Sequence, residues 1–186
     1  TDTSGNVTGT ITGIENSARA TVAALNASGL GFVATANATN VAAGTQAITG
    51  TVAGGVSTVD INGVTISITD TTVAGTTRAN TVTAINAQSA VTGVVATDTG
   101  GGVSLSAAAG ENITVGTFAA GTATSATIAD YGLAAATTTF GTFSYTFENA
   151  QATGTLGVTS SGNGITISDA IGVNGTSVAA IDVLTQ

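Results

Sequence analysis

The triplet Asp98-Thr99-Gly100 has the form of a catalytic carboxylate loop. Hydrolysis of that kind needs two carboxylates on matching loops sharing one proton. No second D-T-G or D-S-G occurs in the 186 residues, and this one runs on into Gly101 and Gly102. A tight hairpin turn accounts for it better. Calcium is the next chemistry to weigh, because oxygen ligands are abundant. Asp60, Asp70, Asp98, Asp130, Asp169 and Asp182 stand singly, however, in neither the D-x-D-x-D-G nor the G-G-x-G-x-D spacing of a calcium loop. Glu15, Glu111 and Glu148 fall in separate elements, and aromatics make up 4% of the chain. A glycosidase pair with aromatic sugar platforms is therefore not expected.

The missing residue types exclude more. There is no His, Cys, Lys, Met, Trp or Pro. Without His or Cys there is no imidazole or thiolate zinc site and no Ser-His or Cys-His nucleophile. Without Lys there is no Schiff base and no P-loop lysine. Arg19 and Arg78 are the two cations, against a net charge of −8. Such a chain cannot neutralise a nucleic-acid backbone or an anionic membrane surface. Each arginine lies near the start of a helical segment, where a solvated flank or a local carboxylate partner suffices. No catalytic, cofactor or metal residue is assigned. Sequons at Asn6, Asn26, Asn37, Asn112 and Asn174 are expected by chance in so Thr-rich a chain. O-glycosylation of exposed Ser and Thr is a candidate modification, refuted if the native mass equals that of the bare polypeptide.

The elements that must hold these residues are mostly strands. In "VSTVDINGVTISITD", Val56 to Asp70, Asn62-Gly63 is the favoured type I′ hairpin loop. Closing there pairs Ile61 with Val64 and Val59 with Ile66, placing all four on one face with Ile68. A helix capped at Thr76 or Thr77 follows, with Ala79, Val82 and Ile85 as its buried stripe. Two strands joined at Gly100 to Gly102 come next, then "ENITVGTF" with Ile113 and Val115 inward. The order describes one helix packed on a small antiparallel sheet. "TVAALNASG" at Thr21 repeats "TVTAINAQS" at Thr81, offset by 60 positions, and "GFVAT" at 31–35 repeats "GVVAT" at 93–97. The repeat is a helix–strand unit with stripe Ala18, Val22 and Leu25. Later, Phe143, Tyr145 and Phe147 alternate in a strand, "GITIS" is a short strand, and Asn174-Gly175 closes a second hairpin pairing Ile171 with Val178. The expected class is α+β, β-rich, with small antiparallel sheets and hairpins each covered by one short helix, in two subdomains. No stretch has the form of an apolar leader or membrane span, so the expectation is either a piece of a larger chain or export by another route.

From Val56 to about Thr117 the order of parts resembles the bacterial flagellin hook motif. That motif is named for two Ile-Asn pairs, here Ile61-Asn62 and Ile85-Asn86, and it ends in a strand like Asn112 to Val115. Its structural positions map onto Ile61, Asn62, Gly63, Val82, Ile85 and Asn86. The copy at Thr21 keeps Leu25-Asn26 in place of Ile-Asn and lacks the Asn-Gly hairpin. "GTSVAAIDVLTQ" is similar to the stretch leading back to a flagellin C-terminal helix. The resemblance implies the variable outer domains of a flagellar filament subunit: a structural, extracellular, antigenic surface supporting motility, open to host immune recognition. It also implies that filament assembly uses conserved helical ends outside this sequence, so that this region alone is monomeric. Chain exit and return imply a nested layout, with 1–51 plus 123–186 inner and 52–122 inserted; two sequential domains are the alternative. The alternatives are a hook-associated or filament-cap protein, which carries the same motif, and a secreted adhesin that binds glycans.

Overall fold

A computed structural model describes residue 11, residues 14–29, 31–51, 53–122 and 125–147, and the backbones of strands 154–159, 166–171 and 179–182. Along the chain, helix α1 (Ala18–Ala27) precedes strands β1 (Phe32–Ala36), β2 (Thr39–Val41), β3 (Val56–Ile61) and β4 (Val64–Thr69). Helix α2 (Ala74–Ala87) and the single turn α3 (Ser89–Thr92) follow, then β5 (Val95–Asp98), β6 (Val103–Ala107) and β7 (Ile113–Ala119). A 3-10 turn (Ile128–Tyr131) leads to β8 (Thr137–Thr139), β9 (Thr142–Phe147), β10 (Gly154–Thr159), β11 (Thr166–Ile171) and β12 (Ala179–Asp182). All the strand pairs are antiparallel. The fold is α+β and β-rich, as the alternating Val, Ile and Thr pattern anticipates.

The chain divides into two compact units, residues 38–139 and residues 1–37 with 140–186. The expected boundaries at 51/52 and 122/123 fall inside the first of these. Hydrogen bonding explains the wider limits: β2 pairs with β6, and β8 pairs with β7. In this unit β4-β3-β7-β8 form one sheet and β2-β6-β5 another. One sheet under one helix was expected, but β7 joins β3 instead of the neighbouring β5–β6 hairpin. The β3–β4 hairpin has the anticipated register, Ile61 opposite Val64 and Val59 opposite Ile66. Val59, Ile61, Ile66 and Ile68 are buried in a core completed by Ile85, Leu105, Ile113, Val115, Tyr131 and Leu133.

Helix α2 begins earlier than expected, after Val73, and Thr71 braces its first turn by bonding to Thr77. Its buried residues are Thr77, Thr81 and Ile85, at spacing four. Ala79 is exposed and Val82 is half-buried against the core. Threonine can face inward here because its hydroxyl finds a local backbone acceptor. Thr77 donates to the Thr71 carbonyl at 3.0 Å, and Thr81 donates to the Thr77 carbonyl at 2.9 Å. Side-chain polarity alone therefore misassigns the stripe.

In the second unit α1 is capped by Ser17, whose side chain accepts the Ala20 N–H at 3.1 Å. Ala18, Thr21 and Leu25 are its buried residues, with Val22 half-buried beside them. Ala18, Val22 and Leu25 pack with Phe32, Ala34, Phe143 and Tyr145, where the rings of Phe32 and Tyr145 meet edge to face at 6.0 Å. The sheet order is β1-β9-β12, and β10 pairs with β11. The hairpin expected at Asn174-Gly175 lies outside the described residues, as does the Phe147 side chain. Of the strands flanking that hairpin, Ile171 in β11 pairs with Gly154, and β12 pairs with β9.

Candidate functional site

The residues singled out by the sequence pattern build backbone joints. Asn62 has φ of +49°, the left-handed conformation that a type I′ turn requires at its first position. Its backbone N–H still donates to the Thr114 carbonyl at 3.0 Å. Its side-chain Oδ1 accepts the Thr114 N–H at 2.7 Å, standing in for a backbone carbonyl in the β3–β7 ladder. Nδ2 donates to the carbonyls of Thr92 at 2.8 Å and Asn112 at 3.0 Å. One side chain thus joins the hairpin to β7 and to the end of α3. Gly63 supplies the second positive φ, +79°. Ile61 beside it is fully buried.

Asn86 makes a second joint. Its Oδ1 accepts the Ala96 N–H at 2.7 Å and its Nδ2 donates to the Ala96 carbonyl at 3.1 Å. Asn26 does the same to Ala34, at 2.7 Å and 2.9 Å. The sequence repeat is thus a repeat of one physical device: a helix ending in an asparagine that binds both backbone groups of one residue in the next strand. Ile85 and Leu25, which precede these asparagines, are both buried. Ile61, Val82 and Ile85 share one core; Asn62 and Asn86 engage separate segments.

The titratable groups are also committed to structure. Asp98 begins the D-T-G turn, and its Oδ1 accepts the Gly100 N–H at 2.8 Å and the Arg78 Nε–H at 2.7 Å. The Gly100 N–H, and then Arg78, hold its carboxyl below the ordinary value. Arg78 also donates to Gln46 Oε1. Gln46 Nε2 donates to the carbonyls of Ala74 at 3.1 Å and Asp130 at 2.8 Å. Asp130 is fully buried. Burial alone would raise its pKa. The Thr49, Thr127 and Gly50 N–H groups and the Thr127 hydroxyl outweigh that, and the net shift is downward. Gln46 and Asp130 thereby fasten the irregular segment 44–50, whose lack of periodicity hid it in the sequence.

Ser57, Asp70 and Tyr131 form a buried polar cluster. The Tyr131 hydroxyl donates to Asp70 Oδ1 and lies 2.7 Å from Ser57 Oγ, while Ser57 Oγ is 3.3 Å from Asp70 Oδ2. Burial, and then the Asp70 carboxylate, push the Tyr131 pKa up. A Ser, an Asp and a Tyr in contact are a possible reactive set, but all three have 0% exposure, so no substrate reaches them. Ser57 lies on the inward face of β3 with Val59 and Ile61, and Asp70 follows exposed Thr69 at the end of β4; for these two that alternation was the available signal.

Among the described residues no group of three or more acidic side chains is placed to hold a metal ion. No described helix is long and apolar enough to cross a membrane. The side chains of Asp169, Asp182 and Glu148, and the sequons at Asn6 and Asn174, lie outside the described residues. Asn26 spends both amide atoms on Ala34, and Asn37 is exposed. No protein-family model matches the chain, and no curated protein matches it significantly.

Proposed function

We propose that this chain is the variable outer region of a bacterial flagellar filament subunit, a structural protein exposed outside the cell and without a catalytic site. The observation that carries the reading is the use made of the two Ile-Asn pairs. In each, the isoleucine is buried in the core and the asparagine binds the backbone of another segment. A signature of that kind specifies architecture. The reading also has support from composition. Hydroxyl-rich strands with net charge −8 and no thiol, imidazole or amine make an inert, mutually repelling outer surface. Such a surface is what a host immune system meets, and assembly is left to segments outside this sequence.

Immunogold labelling of the source cells with antibody to residues 38–139 tests the proposal. Gold along the whole length of extracellular filaments is the expected result. Gold only at filament tips or at the filament base favours the cap or hook-associated alternative. Gold on the cell body without filaments, together with saturable binding on a glycan array, overturns the filament reading in favour of an adhesin.

A further inference from the structure

Strand β5 is at one edge of its sheet, and β1 is at one edge of its own. An edge strand exposes unpaired N–H and C=O groups that can template another strand. Natural sheets blunt such edges with Lys, Pro or dense charge. This chain has no Pro and no Lys, and 6% of its residues are charged. Its strands are runs of Val, Ile, Thr and Ala, the composition that pairs most readily when an edge is open.

The asparagine joints lie on these edges. Antiparallel residues direct their N–H and C=O alternately toward and away from the neighbouring strand. Ala96 sits opposite Leu105 of β6, yet both its backbone groups bond to Asn86. They therefore point outward, off the open side of β5. Just before it, the outward Val94 N–H donates to Thr92 Oγ1 at 3.2 Å. At its end, Asp98 carries the Arg78 ion pair. The same helix reaches another edge: Asn80 Nδ2 donates to the Thr69 carbonyl at the end of β4, the outer strand of the four-stranded sheet. In the other unit Ala34 sits opposite Tyr145 of β9, and both its backbone groups bond to Asn26.

We infer that Asn86 and Asn26 are edge guards: each satisfies both outward backbone groups of one edge-strand residue with its own amide and so excludes strand addition by a second copy of this chain. The amide suits the task because it carries a carbonyl acceptor beside an NH2 donor, so one side chain can meet both the N–H and the C=O of a single residue. It completes the edge without offering a further edge of its own. This role explains why the device occurs in both units, and it holds whether or not the chain belongs to a filament.

Two substitutions separate guarding from simple stabilisation. Asn86→Ala frees both groups of Ala96 and leaves an uncharged gap. Asn86→Asp keeps an acceptor for the Ala96 N–H, loses the donor to its carbonyl, and places a charge at the edge that repels an incoming strand. For N86A the expected result is roughly tenfold faster hydrogen exchange at the Ala96 amide, with concentration-dependent association in sedimentation velocity. For N86D the expected result is a loss of stability with the oligomeric state of the parent chain retained. The inference is overturned if N86A exchanges fast at Ala96 yet associates no more than the parent. It is equally overturned if N86D associates as readily as N86A, because association would then follow stability alone. Should N86A fail to fold, N86D decides by itself: association beyond that of the parent refutes the role, and its absence in the destabilised variant supports it.

Discussion

Replacing Asp130 by Asn is a nearly isosteric change whose cost can be worked from geometry. Oδ1 accepts the Thr49 N–H at 2.7 Å, the Thr49 hydroxyl at 3.2 Å and the Gly50 N–H at 3.4 Å. Oδ2 accepts the Thr127 N–H at 2.7 Å and the Thr127 hydroxyl at 3.0 Å. Both oxygens thus face backbone donors. An amide has one oxygen, so in either orientation its NH2 confronts a backbone N–H. One buried donor left unpaired costs about 1–3 kcal/mol, and weakening the remaining charge-assisted bond to a neutral one costs roughly 1 kcal/mol more. The expected loss for D130N is about 2–4 kcal/mol, which a urea dependence of about 2 kcal/mol per molar turns into a midpoint lowered by roughly 1–2 M. The chain has two tyrosines, Tyr131 and Tyr145, one in each unit. In a Tyr145→Phe background, Tyr131 emission reports unit 38–139 alone. Acid unfolding gives a second readout. The folded carboxyl of Asp130 titrates below its ordinary 3.8. Its contribution is therefore present above that value and is lost as pH falls through the folded pKa. D130N should show a shallower acid transition. A midpoint within about 0.2 M of the parent, an effect under roughly 0.5 kcal/mol, would refute the reasoning.

Tyr131→Phe removes the donor to buried Asp70 and should cost about 1.5–3 kcal/mol at neutral pH. Because the folded phenol titrates above its ordinary 10.0, the parent should lose stability as pH rises past that value, and alkaline urea titrations of Y131F should lack this component. A Cβ added at Gly102 would lie 1.9 Å from the Gly44 carbonyl oxygen, backbone against backbone, whereas one at Gly101 meets nothing within 4 Å. Gly102→Ala should therefore cost about 3 kcal/mol or more and Gly101→Ala less than about 1 kcal/mol in the same unfolding assay. Thr81→Val removes a buried hydroxyl whose acceptor, the Thr77 carbonyl, sits within the helix, so its stability should stay within about 1 kcal/mol of the parent.

What was legible in the sequence followed from period and turn chemistry. Asn62-Gly63 with alternating Val59, Ile61, Ile66 and Ile68 specified a hairpin and its register, because a one-residue slip would expose the whole apolar set. The repeat at Thr21 and Thr81 identified both helices and the strands after them. The inward stripe of α2 was misread because Thr77 and Thr81 satisfy their hydroxyls locally and behave as small apolar residues. Segment 44–50 was invisible for a different reason. It is held by Gln46, by the Asp130 carboxylate and by glycine contacts, all made to residues far away in the chain. The asparagines were visible as a signature, but their role depends on which strands lie at sheet edges, and that follows from topology. It was likewise topology, through β2 on β6 and β8 on β7, that widened the unit to 38–139.

The most direct measurement of the central claim is the protein content of extracellular filaments sheared from the source cells. Mass spectrometry of washed filaments should return peptides from residues 38–139 as part of the principal subunit, joined in one polypeptide to long helical segments. Filaments lacking these peptides, with the chain recovered instead from a non-filamentous fraction, would contradict the account.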